Sequence, residues 1–140
     1  MSWWGFWSRA SVRPQAQARQ RLGRESELLA RRLLVDQGYM IEQANVRYPV
    51  GEIDLIARDG DTLCFIEVRS VSSDAWGGAL ATVTRPKQQR ILRAVQWYLQ
   101  RLPELPSAVR FDIVAVTWQA DGPPRAELVR GAFEADHPSW

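Results

Sequence analysis

Residues 51–69 read GEIDLIARDGDTLCFIEVR. Apolar residues alternate through Ile53, Leu55 and Ala57 and again through Cys64, Ile66 and Val68, with Asp59-Gly60 between them. That pattern predicts two antiparallel strands joined by a tight turn. With Asp59 and Gly60 as the loop, Arg58 faces Asp61, Asp54 faces Phe65 and Glu52 faces Glu67. Side chains alternate across a sheet, so Glu52, Asp54 and Ile56 are expected on one face with Leu63, Phe65, Glu67 and Arg69. Asp54 and Glu67 then become diagonal neighbours, at a Cα spacing of roughly 7 to 8 Å, within reach of one ion. A loop longer or shorter by one residue would send them to opposite faces.

Acidic residues in strands otherwise built of Ile, Leu, Phe and Val need a reason, because an unpaired buried carboxylate is costly and tends to protonate. Pairing is one: Glu67 with Arg69 or Arg47, and Asp54 with water at a sheet edge. A hard divalent cation is the other. Mg²⁺ takes oxygen ligands, keeps several waters and commonly uses one or two carboxylates, with substrate phosphate completing its shell.

An Asp, a strand turn and then Glu-x-Lys form the signature of the restriction-endonuclease-like, PD-(D/E)xK, superfamily. Here Asp54 is followed by Glu67-Val68-Arg69. With GYMIEQANVR before the hairpin and RFDIVAV after it, the chain resembles the YraN-type family of small bacterial proteins over roughly residues 23–133. The resemblance implies a Holliday-junction-resolvase-like nuclease fold. It implies Mg²⁺ (or Mn²⁺) held by Asp54 and Glu67 with the Val68 carbonyl, Glu27 of the first helix as a third acidic group, and nucleic acid, DNA favoured, as partner. Arg69 stands where the superfamily usually has Lys.

A chain of 140 residues, 46% hydrophobic, suits one domain with a true core. The single Cys64 excludes an internal disulfide and a cysteine-based zinc site, and reads as a core residue. His137, the one histidine, lies in the tail, leaving no Ser-His-Asp, Cys-His or His-ligated metal chemistry. Phosphate loops and dinucleotide fingerprints are missing, and so is any apolar run long enough for a membrane span. No small-molecule cofactor is expected, the expected location is the cytoplasm, and homodimerisation is left open.

Residues 1–24 hold five Arg and no acid, so the remainder carries 13 Lys+Arg against 16 Asp+Glu, a net of −3. The division expected is a basic, Trp-rich arm over 1–21, a nuclease-like domain over 22–134 and a tail over 135–140. The arm suits phosphate contact or plain solvation equally. Its opening, with Trp3, Trp4 and Trp7, has no basic region ahead of a long apolar segment, so it is not read as a secretory signal.

In the domain, Leu22, Ser26, Leu29, Leu33 and Leu34 predict a helix to about Gln37, stopped by Gly38. A strand over 39–45 leads into the hairpin. The loop at 70–78 follows, where Trp76 offers either a packing anchor or a base-stacking surface. Thr84 caps a second helix over 85–102, whose Ile91, Val95, Tyr98 and Leu102 face the sheet. Lys87, Arg90 and Arg93 form a basic stripe, solvated or phosphate-contacting, with Lys87 the candidate to replace the absent motif lysine, and Arg47 and Trp76 complete the residues expected to meet nucleic acid. Strands over 109–116 and 127–129 complete the order α-β-β-β-α-β-β, an α/β fold with a central mixed sheet flanked by helices. Two functions are compatible with this pattern: a metal-dependent endonuclease for branched or structured DNA, and a nucleic-acid-binding module with weak or lost chemistry.

Overall fold

The computed structural model describes residues 14–73 and 78–134. Helix α1 (Pro14–Asp36) is followed by strands β1 (Met40–Tyr48), β2 (Gly51–Asp59) and β3 (Thr62–Ser72), a single 3-10 turn (Leu80–Thr82), helix α2 (Arg85–Leu99), and strands β4 (Ala108–Trp118) and β5 (Arg125–Phe133). The strands form one mixed sheet in sequence order, with β3 and β4 parallel and every other neighbouring pair antiparallel. The parallel step needs a crossover, and α2 supplies it. α1 covers one face through Ala30 and Leu34 on Leu55, Ala57, Cys64, Ile66, Val114 and Val116. α2 covers the other through Ile91, Ala94, Val95, Tyr98 and Leu99 on Ile53, Ile56, Leu63, Phe65 and Phe111. Three layers result, in the predicted order.

α1 starts at Pro14, eight residues before Leu22. Residues 15–21 are Gln, Ala and Arg, good helix formers with no apolar stripe to betray them, and Pro suits a first helical position. Arg19 and Arg21, assigned to the arm from sequence, therefore belong to this helix with Arg24. Residues 1–13, including Trp3, Trp4 and Trp7, lie outside the described residues, as do Trp76 and His137. Leu22 is exposed rather than part of the stripe. At the far end Gly38 adopts φ 90° and the Tyr39 amide donates to the Leu34 carbonyl, closing the helix. α2 ends at Leu99, short of Leu102, and Thr84 precedes it in an extended conformation without a side-chain cap bond.

The central hairpin turns one residue later than expected. Asp59 pairs with Thr62, so Gly60-Asp61 is the loop. Gly60 takes φ 60° at the first loop position, where a II′ turn calls for glycine. The register advances by one residue on each strand, which preserves parity and brings Asp54 level with Glu67.

Strict alternation fails beside Asp54. Asn45 has φ 53°, the only positive value at a non-glycine among the described residues. The pairs Ala44↔Leu55 and Val46↔Ile53 flank it, placing Asn45 opposite Asp54. Ala44 and Leu55 pack towards α1, whereas Val46 and Ile53 pack towards α2. The β1–β2 ribbon thus inverts its facing at Asn45 and Asp54, as a left-handed residue inside a strand forces it to. Sequence alternation had grouped Ile53 with Leu55 and Ala57.

Candidate active site

The inversion opens the sheet. The β2–β3 pairing ends at Leu55↔Ile66, and beyond it the Val68 amide donates not to a β2 carbonyl but to Asp54 Oδ2, at 2.9 Å. An acidic side chain has replaced the strand backbone as acceptor, and the mouth of this split holds the site. Glu67, on β3, is 5% exposed, and the Asp54 carboxyl lies near enough for its charge to act on it. Burial pushes both carboxyls up. Glu67 reaches about 7 through burial and then the adjacent Asp54 charge, with Lys87 pulling against them. Asp54 is raised by burial against the opposing bonds from Val68 and Glu67.

Two cations attend Glu67. Lys87 Nζ, from the first turn of α2, lies 3.2 Å from Glu67 Oε1, and Arg69 Nη1 lies 3.7 Å from the same oxygen. Arg69 is anchored elsewhere: its Nε donates to Thr82 Oγ1 at 2.8 Å, and Thr82 in turn donates to the Ala79 carbonyl. α2 comes close enough for Lys87 because Gly51 lacks a side chain. A Cβ at that position would stand 2.6 Å from the Arg90 carbonyl oxygen.

The carboxylate pair sits between two cavities, one on each side of the sheet. On the α2 side a cavity of about 350 Å³ is bordered by Tyr48, Glu52, Glu67, Lys87 and Arg90. On the α1 side a cavity of about 520 Å³ is bordered by Arg24, Glu27, Asn45, Asp54 and Ser70. The parity argument placed Asp54 and Glu67 on one face; the ribbon inversion instead turns them to different cavities, and they meet through the split.

The other sequence candidates distribute as follows. Glu27 borders the Asp54 cavity, where its carboxylate accepts from Asn45 Nδ2 and Arg31 Nη2, each at 3.0 Å. Arg90 borders the Glu67 cavity, while Arg93 is exposed on α2 and does not line it. Arg47 is exposed and 3.5 Å from Glu52. Cys64 is fully buried in the core, and burial pushes its thiol up to about 12, which removes it as a nucleophile. Asn45 escaped notice in the sequence. Its tolerance of a left-handed backbone is the only available signal, and that signal is weak inside a strand.

The donor set suits a hard divalent ion. Neighbouring carboxyls that burial raises gain from a cation that offsets their charge. Asp54 and Glu67 are the residues that would hold it. Among the described residues no group of three or more Asp, Glu, His or Cys side chains is arranged to hold a metal.

Comparison with known proteins places this geometry in a family. The model described as "Uncharacterised protein family UPF0102" matches residues 26–116. The chain belongs to that family. The UPF0102 protein of Desulfosudis oleivorans is 41% identical over 118 residues, 84% of this chain and 94% of the relative. That of Anaeromyxobacter dehalogenans is 45% identical over 118 residues, covering 84% and 87%. A third, from Symbiobacterium thermophilum, is 42% identical over 115 residues, covering 82% and 98%. UPF0102 is the YraN-type family of the sequence resemblance. In this UPF0102 protein the matched segment contains Glu27, Asn45, Asp54, Glu67, Arg69 and Lys87. Among the described residues no helix is long and apolar enough to cross a membrane.

Proposed function

We propose that this UPF0102 protein is a divalent-metal-dependent DNA endonuclease acting on branched or otherwise structured DNA. The observation that carries the reading is the convergence of Asp54 and Glu67 at the split between β2 and β3, with Asp54 held by the Val68 amide at 2.9 Å and the Lys87 ammonium 3.2 Å from Glu67. Fold alone would not suffice, because one fold hosts many functions. Mg²⁺ or Mn²⁺ bound there would lower the pKa of a water and neutralise charge on the scissile phosphate.

The chain's own groups divide the remaining work. Asp54 is fixed by the Val68 amide, so its second oxygen is oriented before any ligand arrives. Glu67, with its carboxyl pushed up to about 7, holds or releases a proton near neutral pH. Lys87, a compact ammonium beside Glu67, orients a water or the phosphate and fills the place left by the missing motif lysine. Arg69 cannot serve as a base because its guanidinium stays protonated; tied to Thr82, it stabilises phosphate charge. Arg24 and Arg90 supply a cation beside each cavity for flanking phosphates.

A second reading, a binding module with lost chemistry, is favoured by Arg69 and by its engagement with Thr82. Cleavage of labelled linear, forked and four-way DNA with Mg²⁺, Mn²⁺ or EDTA separates the two. The endonuclease reading expects metal-dependent cutting that Asp54→Asn abolishes with DNA affinity retained, and that Lys87→Ala lowers about 10²- to 10³-fold. DNA binding by the wild type with no cutting in either metal would leave only the binding module.

A further inference from the structure

Tyr48 ends β1 and pairs with Gly51 across the two-residue turn Pro49-Val50. The close approach of Gly51 to α2 presses this turn onto the helix, so the Tyr48 ring meets Trp97 at a centroid distance of 5.6 Å and an interplanar angle of 42°. Arg101 lies over both rings, 5.3 Å from the Tyr48 centroid and 4.8 Å from that of Trp97, and its Nη1 is fixed by the Trp97 carbonyl at 2.7 Å. Tyr48 and Trp97 are both half-buried. Tyr48, its ring held from behind by Trp97 and Arg101, therefore borders the same cavity as Glu52, Glu67, Lys87 and Arg90.

We propose that this cavity is a subsite for one unpaired nucleotide, whose base stacks on Tyr48 while its phosphate meets Lys87 and Arg90. Its volume of about 350 Å³ falls within the roughly 300–1,000 Å³ of small-ligand clefts, and it combines one aromatic wall with two cations. A base inside a duplex has both faces covered by its neighbours and cannot offer one to a recessed ring; a base at a flap, fork or single-stranded end can. Stacking on an aromatic ring is blind to base identity, so the subsite selects strand structure rather than sequence. The assignment deepens the endonuclease reading and rests on it for the word substrate; the stacking itself stands on Tyr48 alone.

The test uses the full chain in EDTA, so that binding is read without cutting. A short single-stranded DNA carrying 2-aminopurine, and the same strand in a blunt duplex, are titrated with wild type, Tyr48→Phe and Tyr48→Leu, each checked for a cooperative melt. Wild type and Tyr48→Phe should quench the single-stranded probe and prefer it over duplex by about tenfold, and Tyr48→Leu should lose most of that preference while still binding duplex. Should Tyr48→Leu not fold, the wild-type quench decides. No quench, or equal affinity for both forms, overturns the subsite. A quench that depends on Tyr48, in a protein that cuts no flap or fork with Mn²⁺, keeps the subsite and removes the endonuclease. Cutting that ignores unpaired ends, without a quench, does the reverse.

Discussion

One sheet buries two acidic centres and treats them in opposite ways. Asp112, on β4, is fully buried and surrounded by fixed donors: Arg110 Nε at 2.8 Å and Nη2 at 3.0 Å, the Tyr39 hydroxyl at 2.7 Å and the Gly131 amide at 2.9 Å. Burial alone would raise its carboxyl, but these bonds, Arg110 foremost, outweigh it and hold the group below its ordinary value. Asp54 and Glu67 have fewer fixed donors, the Val68 amide for one and Lys87 with the longer Arg69 contact for the other, and burial leaves both raised. Asp112 is complete as folded. The other pair is raised despite Lys87 and Arg69 beside Glu67, the kind of perturbed setting the proposed metal site would use.

The comparison predicts opposite signs on mutation. Asp112→Asn should cost about 3–5 kcal/mol, because it removes the charge behind the paired Arg110 bonds, leaving Arg110 with Asp59 alone as carboxylate partner, and faces an amide NH₂ towards the Tyr39 and Gly131 donors. Chemical denaturation at pH 7 measures it, and a loss under 1 kcal/mol would mean that the network is dispensable. Glu67→Gln, at pH 8 without metal, should instead stabilise by roughly 1–3 kcal/mol, since it removes one of two like charges from a buried site. A destabilised Glu67→Gln would show that the Lys87 and Arg69 contacts already satisfy Glu67.

Gly51→Ala should match Glu67→Gln in size with the opposite sign. Its Cβ would collide with the Arg90 carbonyl, so an overpacking cost of about 1–3 kcal/mol is expected, along with loss of the Lys87 contact to Glu67. The second effect would appear as a fall in the Glu67 pKa dependence on Lys87, read by carboxyl NMR in a Gly51→Ala, Lys87→Ala cycle.

The smallest effect is the pH profile. The folded pKa of Glu67, about 7, lies above the ordinary 4.5, so between them the folded state binds more protons than the unfolded. Its contribution to stability falls as pH rises through that window and is flat above it. Asp112, held below its ordinary value, contributes fully above that value and loses its contribution as pH falls through the folded pKa. Glu67→Gln should flatten the neutral limb of a melting profile taken in EDTA and leave the acid limb unchanged; Asp112→Asn should do the converse.

The two centres were not equally legible in sequence. The hairpin and the carboxylates Asp54 and Glu67 follow from alternation in 51–69, a local period-two signal, and the layer order from the helical and strand patterns on either side of it. The hairpin turn was displaced by one residue, since Asp59-Gly60 and Gly60-Asp61 are both plausible loops until Gly60 declares which position holds the positive φ. Beyond reach was the inversion at Asn45: Ile53 joins the α2 core because of a backbone angle on the neighbouring strand. Lys87 was legible only as part of a stripe with Arg90 and Arg93, and Gly51 explains why it is the one that touches Glu67. The Asp112 centre could not be read at all. Tyr39, Asp59, Arg110 and Gly131 are far apart in the chain, and only the sheet brings them together.

The most direct test of the claim that Asp54 and Glu67 await a cation is the thermal stability of the full chain, without DNA, titrated with Mn²⁺ at pH 7.5. Wild type should rise in melting temperature saturably, because an ion that binds only the folded state stabilises by mass action, and Asp54→Asn and Glu67→Gln should each abolish the rise. An unchanged wild-type melting temperature at millimolar Mn²⁺, or a rise that survives both substitutions, would contradict it.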